Sequence, residues 1–199
     1  SGKSHFFDNI VVNVLRKNSL DTAQFILIDP KYVQFHQFRD IPHLVCPVIN
    51  NPEEAVKVMD WISVEIDRRL SANNTSQPEI FVLCDEISDL MMLDSYFYEK
   101  IFVKIAQKGG AVGVYSVIAT SRPSKEVFTD ALLKAYKTKI AFALASEVDS
   151  QRILQCDDGV GLNGKGDMLL KMDSSERVIR LQAPFISDEE MEEILGSLA

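Results

Sequence analysis

Two hydrophobic spacings alternate along the chain. After Ser4, the stretch HFFDNIVVNVLRK puts Phe6, Ile10, Val11, Val14 and Leu15 at the intervals of a helix with one apolar face. QFILID then runs apolar without a break, as in a strand covered on both faces. NPEEAVKVMDWISVEIDRRL predicts a second helix, with Asn51 as N-cap, Pro52 in the first turn and acids at the positive end of the dipole. A polar connector, SANNTSQP, leads to a second buried strand, EIFVLC, which ends on Asp85 and Glu86. Helix SYFYEKIFVKIAQ, strand VYSVIAT, helix KEVFTDALLKAY and a fourth strand, TKIAFAL, follow. A short helix around SQRILQ, a hairpin of DMLLKM and RVIRLQ, and an acidic helix, SDEEMEEIL, complete the pattern.

Strands alternating with helices predict an α/β three-layer sandwich around a mainly parallel sheet, as one domain over residues 1–199. With 46% hydrophobic residues the chain can bury a large core. No apolar run is long enough to cross a bilayer and nothing resembles a signal peptide, so an anchor would belong elsewhere in a longer protein. The irregular stretch DPKYVQFHQFRDIPHL is long for a compact domain, and loops of that length more often carry function. Cys46, Cys84 and Cys156 have no metal or redox spacing and read as three reduced, buried thiols. The net charge of −8 argues against a surface broadly attractive to nucleic acid, although the last helix alone holds five acids and no base. Any basic strip must be local. Lys100, Lys104 and Lys108, every fourth residue on one helix, are a candidate for it, beside the plainer reading of a solvated face.

In open parallel sheets ligands bind at the carboxyl ends of the strands. Those ends carry Asp29, the pair Asp85 and Glu86, the run Thr120, Ser121 and Arg122, and the pair Ser146 and Glu147. The opening Gly2-Lys3-Ser4, followed at once by a helix, has the composition of the back half of a phosphate loop. There backbone N–H groups and the helix dipole face an anion, the Lys reaches the outer phosphates and the Ser holds Mg²⁺. Adjacent carboxylates at a strand end can divide the remaining work, Asp85 toward the metal and Glu86 toward the attacking water. Ser121, at the next strand end, is placed to sense the terminal phosphate. A Ser-His-Asp hydrolase lacks support, since there is no G-x-S-x-G elbow and His5, His36 and His43 show no ligand spacing.

Taken in order, ILIDPK, VLCDEISDLMM, AQK, IATSRPS, KIAFALASEVDSQRIL, GKGDMLL and APFISDEEMEEIL resemble the motor domain of the FtsK/SpoIIIE family of DNA translocases over nearly the whole chain. The resemblance implies a RecA-like P-loop NTPase fold, truncated at the start of the phosphate loop, whose first glycines and preceding strand lie upstream. It implies a hexameric ring that hydrolyses ATP with Mg²⁺ and moves double-stranded DNA, in the cytoplasm and often tethered to a membrane by a separate segment. By motif, Ser1, Gly2, Lys3, Ser4 and His5 bind the nucleotide, and Ser4 and Asp85 hold the metal. Glu86 is the catalytic base, Ser121 the sensor, and Arg122 and Arg152 are the candidates for an arginine acting on the phosphates. The chain departs from the family pattern at Ser121, where a Gln is expected, and at Gly110 and Lys139, where arginines are expected. The region after the acid pair is also shorter. Two alternatives remain: a related ring ATPase that threads proteins, as in type VII secretion, and a nucleotide-binding module with weak hydrolysis.

Overall fold

The computed structural model describes residues 2–72, 77–175 and 177–196. Three parallel strands form the first sheet, β1 (Ala23–Ile28), β2 (Glu79–Cys84) and β3 (Val114–Ile118), in the order β1-β2-β3. Ile28, Cys84 and Ile118 are in register, so the chain leaves all three strands at one edge. The segment after the long irregular stretch adds isolated parallel bridges to β1, Phe25 to Leu44 and Ile28 to Ile49. This stretch is not an open loop. Phe35, Phe38 and Ile41 are buried, and it contains a 3-10 turn at His36–Phe38.

Alternate residues of β1 and β2 face two cores, as the period of a strand requires. Phe25, Leu27 and Leu83 pack with Phe7, Val11, Val12 and Leu15 of α1 (Lys3–Lys17) and with Phe35 and Phe38. Ile26, Ile28, Val82 and Cys84 pack with Met59, Ile62 and Ile66 of α2 (Pro52–Ala72) and with Leu90, Ile101, Phe102 and Ile105 of α3 (Ile87–Lys108). The result is three layers, α1 on one side of the sheet and α2 and α3 on the other. Each fully buried aliphatic side chain stabilises this arrangement by about 1.5–3 kcal/mol.

Asn51 caps α2 through its Oδ1, which accepts the N–H of Glu54 at 2.9 Å, as its position predicts. The next helix differs from expectation. It begins at Ile87, directly after Glu86, and is broken at Asp94, whose φ of −153° and ψ of 88° are not helical. After α4 (Asp130–Ala135), β4 (Thr138–Phe142) does not join the parallel sheet. It pairs antiparallel with β5 (Asp167–Met172), which pairs with β6 (Val178–Gln182) in a second sheet, so the parallel pairing expected of the strands holds for β1–β3 and the expected hairpin for β5–β6, but not for β4. Periodicity reports which faces of a strand are covered and carries no information on its neighbour. An apolar cleft of about 500 Å³ is lined by both β3 and β4, among others by Ile118, Tyr136, Ile140 and Phe142. Helix α5 (Glu147–Leu154) lies between β4 and β5, and α6 (Asp188–Gly196) follows β6. Of the cysteines only Cys84 is fully buried, and all three thiols are free.

Candidate nucleotide site

Gly2 starts the site. It adopts a left-handed conformation, φ 117°, at the N-cap of α1. A Cβ here would lie 2.8 Å from the Cα of Gly166 and 2.9 Å from the ring of Phe142, so only glycine fits. The helix that follows projects Lys3 across the carboxyl end of the parallel sheet. Its Nζ lies 2.7 Å from Asp85 Oδ1 and 3.8 Å from Glu86 Oε2. The lysine from the chain's start and the acids that close β2 therefore meet. Asp85 is fixed by its own N–H, which donates to Ile28 O at 3.0 Å and extends the β1–β2 ladder by one rung.

Glu86 occupies a strained position, with φ 59° and ψ 61°. The turn is held by the N–H of Ile87, which donates to Ala119 O at 2.8 Å. Four donors surround its carboxylate. Ser88 Oγ (2.6 Å) and Thr120 Oγ1 (2.5 Å) donate to Oε1, Ser121 Oγ (2.5 Å) donates to Oε2, and the Ser121 N–H lies 3.1 Å from both oxygens. Burial alone pulls the carboxyl upward, yet the hydrogen bonds from Ser121, Ser88 and Thr120 outweigh it and hold the group down at about 2. Ser121 thus reaches the acid, not open space, and Thr120 and Ser88 share that task. Their sequence signal was faint: hydroxyls two residues after the acid and at the next strand end.

Lys31 stands 3.9 Å from the same Oε2 of Glu86. It belongs to the IDPK run at the end of β1, where its residue type alone gives no sign of this approach.

The first two turns of α1 carry a second cluster. Asp8 is buried, and its Oδ1 accepts from Gln34 Nε2 at 3.0 Å and Gln37 Nε2 at 2.8 Å. Burial raises its carboxyl to about 6, against the opposing pull of His5 and the two amides. Gln34 also donates to Ser4 O at 3.0 Å, so the β1 loop and the start of α1 are tied together. Ser4 and His5 are exposed there, and the His5 ring meets Phe185 edge-on at 5.0 Å.

Of the other expected residues, Arg122 touches this cluster through its backbone and Arg152 is engaged elsewhere. Ser1 falls outside the described residues. Arg122 is exposed, and its N–H donates to Thr120 Oγ1 at 2.9 Å. The guanidinium of Arg152 is engaged with the carbonyl of Phe128 and with Asp130 at 3.3 Å. Gly110 sits in a 3-10 turn before β3, at the opposite end of that strand from Thr120 and Ser121. Lys139, Lys134, Lys137 and Lys171 line a common cleft of about 680 Å³. Burial first, then Lys171 and Lys137, lower the Lys139 ammonium. Lys104 does not belong to a free stripe. Its ammonium is bound to Ser63 O (2.7 Å), Ser63 Oγ (2.9 Å) and Asp67 (2.7 Å) on α2.

Does this site suit Mg²⁺ and a triphosphate? Asp85 Oδ1 is buried without an aligned hydrogen bond, its near neighbour being the Lys3 ammonium. Among the described residues no three His, Cys, Asp or Glu side chains gather into a cage. Magnesium commonly takes one or two carboxylates plus phosphate oxygens and water, so Asp85 with Ser4 is a fitting donor set.

The layered α/β architecture, with a lysine opening α1 and an acid pair closing β2, is that of P-loop ATPase motor domains. Solved structures share the fold. The pCW3 conjugation coupling protein TcpA, solved as a monomer with ATPγS, matches with a TM-score of 0.84 at 20% identity, over 99% of this chain and 62% of that one. The cytoplasmic domain of the Thermomonospora curvata type VII secretion ATPase EccC matches with a TM-score of 0.81 at 22% identity, over 100% of this chain and 27% of that one. The chain itself belongs to the FtsK/SpoIIIE family, whose sequence pattern matches residues 1–73 and 70–125. Relatives include the DNA translocase FtsK of Caldanaerobacter subterraneus, 36% identical over 100% of this chain and 30% of that protein. The DNA translocase SftA of Bacillus subtilis is 35% identical over 98% of this chain and 23% of its own length. The chain thus spans less than a third of either relative.

Proposed function

We propose that this chain is the single motor domain of an ATP-driven, double-stranded DNA translocase that works in the cytoplasm as a homo-oligomeric ring, a hexamer by resemblance. The observation that carries the reading is the convergence of Lys3 on Asp85 and Glu86 at 2.7 and 3.8 Å. In a nucleotide-binding cycle Lys3 exchanges Asp85 for phosphate oxygens. Gly2, Ser4 and His5 present the helix start to the phosphates, and Ser1 belongs to the same loop. Bound Mg²⁺ would neutralise charge on the phosphates. Asp85 and Ser4 would hold it, and Glu86 orients the attacking water. Ser121 fixes Glu86 and thereby couples the third strand end to the second. Arg122, exposed beside Ser121, is the arginine best placed to face a neighbouring subunit.

The acidic net charge is compatible with DNA because positive charge is gathered locally. Lys134, Lys137, Lys139 and Lys171 share one cleft with a single acid, Asp173, which pairs with Lys137 at 3.2 Å, and separated charges act almost independently at physiological salt. Names of the relatives support DNA as the substrate, since each is called a DNA translocase. No helix among the described residues is long and apolar enough to cross a membrane.

The test is ATP hydrolysis by the full-length protein with and without linear duplex DNA, beside a Lys3→Ala control. Duplex should raise turnover, the increase should fade with salt, and the control should lose both. An ATPase indifferent to duplex would favour a protein-threading motor instead. ATP binding without turnover would favour the non-catalytic module.

A further inference from the structure

We propose that Lys31 is a second cation of the nucleotide site, placed to meet charge on the terminal phosphate beside Lys3; this rests on the ATPase reading above. Two ammonium groups, from different elements, stand within 4 Å of one carboxylate oxygen: Lys3 at 3.8 Å and Lys31 at 3.9 Å from Glu86 Oε2. Glu86 does not need the second one. Its carboxylate already receives four donors, and 3.9 Å is too long for a hydrogen bond. The Lys31 side chain is 56% exposed, so its ammonium keeps donors free for a ligand entering beside the acid pair.

The loop that carries Lys31 is rigidly built. Asp29, 1% exposed, accepts the N–H of Gln34 at 2.7 Å and of Phe35 at 2.9 Å through one carboxylate oxygen. The N–H of Tyr32 donates to Asp29 O at 2.9 Å, and Tyr32 itself is held at φ 52°. Phe35 is anchored edge-on against Phe7 of α1 at 5.3 Å. A buried acid, a left-handed residue and an aromatic anchor all serve to fix the three residues after β1. A merely solvating lysine would not need such a mount.

Charge balance gives the position a purpose. Phosphoryl transfer spreads negative charge over the equatorial oxygens of the transferred group, and fixed cations near them lower the barrier. Gly110 has no charge, Lys139 lies in the separate lysine cleft and Arg152 is bound to Asp130. Among the described residues, Lys3 and Lys31 are the cations within 4 Å of the acid pair.

The test compares Lys31→Ala, Lys31→Gln and Lys31→Arg in the full-length protein. ATP turnover is measured at saturating ATP, and ADP and ATPγS affinities by titration with fluorescent analogues. Ala and Gln should lower kcat by about 100-fold, the lower end of the loss seen when one fixed charge-stabilising donor is removed. ADP affinity should stay within about 2-fold because ADP lacks the terminal phosphate, ATPγS affinity should fall, and Arg should restore most of the loss. Unchanged kcat in Lys31→Ala, in a wild type that hydrolyses ATP, overturns the inference alone. So does an equal loss of ADP and ATPγS affinity, which marks a structural lysine. A wild type that neither binds nor hydrolyses ATP overturns the ATPase reading, and this inference with it.

Discussion

Removing the hydroxyls that surround Glu86 should shift its titration and, with it, the acid limb of the stability curve. Ser121→Ala deletes the 2.5 Å donor to Oε2, and Thr120→Val deletes the 2.5 Å donor to Oε1 with little change in shape. A hydrogen bond to a charged group contributes about 1.5–3 kcal/mol, equivalent to about one or two pK units. Ser88 Oγ and the Ser121 N–H remain. The single variants should therefore raise the Glu86 carboxyl from about 2 by about one unit, and the double variant should bring it near the ordinary value of 4.5. Neighbouring donors on one carboxylate are not additive, so the double shift should differ from the sum of the single ones.

The sign follows from linkage. A depressed folded value means that the stability this group contributes is present above the unfolded value of 4.5 and lost as pH falls toward about 2. The double variant should be less stable than the parent by about 2–3 kcal/mol at pH 7, and the deficit should shrink on descending toward pH 2. Carboxyl-detected NMR titration reads the first quantity, and urea unfolding at several pH values reads the second. A Glu86 carboxyl that still titrates near 2 in the double variant would refute the reasoning. So would a deficit of equal size at pH 7 and pH 2.5, because the donors would then be acting through packing.

Asp8 supplies the opposite case: its folded carboxyl sits near 6, above the ordinary 3.8, so stability should fall as pH rises between these values. Asp8→Asn keeps an acceptor for Gln34 and Gln37, and should abolish that fall and stabilise the protein by about 1–3 kcal/mol at pH 7, read by thermal unfolding. Gly2→Ala should cost about 1–2 kcal/mol from its left-handed φ alone, and the 2.8 Å approach to Gly166 should weaken nucleotide binding further, read by titration. Arg69, 4% exposed, is bound to Glu65 at 2.7 Å and to the carbonyls of Pro78 and Val112; Arg69→Met should cost about 3–5 kcal/mol in urea unfolding. Replacing the exposed Lys134 and Lys137 by Gln should reduce the salt slope of DNA-stimulated turnover by up to about 2, whereas Lys104→Gln should leave the slope unchanged and only loosen α2 from α3.

Much of the fold was legible because burial on two faces and burial on one face leave different periodicities. The runs FILI and FVLC read as covered strands, and both have helices on each side. Asn51 read as a cap and is one. Side-chain pattern says nothing of pairing direction, however, and TKIAFAL fits an antiparallel edge as well as a parallel interior. The break at Asp94 likewise hid the first turns of α3, since a helix that loses its phase shows no single apolar stripe. Lys104 read as solvated because nothing in its own helix reveals the carbonyl and hydroxyl of Ser63 opposite it.

The site was legible as residue types, and its geometry was least legible where the backbone is strained. Glu86 and Tyr32 both have left-handed φ values, and Lys165 shares that conformation in the turn that presses Gly166 against Gly2. Glutamate, tyrosine and lysine all disfavour it, so local preference argues against each of these turns. At Glu86 the strain is offset by four hydrogen bonds to the carboxylate. At Tyr32 it is offset by the bonds that Asp29 accepts. In both cases the compensation comes from residues that sequence patterns do not connect: a hydroxyl more than thirty positions away for Glu86, a strand-end acid with no partner in sight for Tyr32. Violations of local preference that surrounding contacts make tolerable are expected where chemistry sets the backbone. The Tyr32 turn adjoins Lys31, whose ammonium stands 3.9 Å from Glu86 Oε2, so the two strained turns lie on either side of one ion pair.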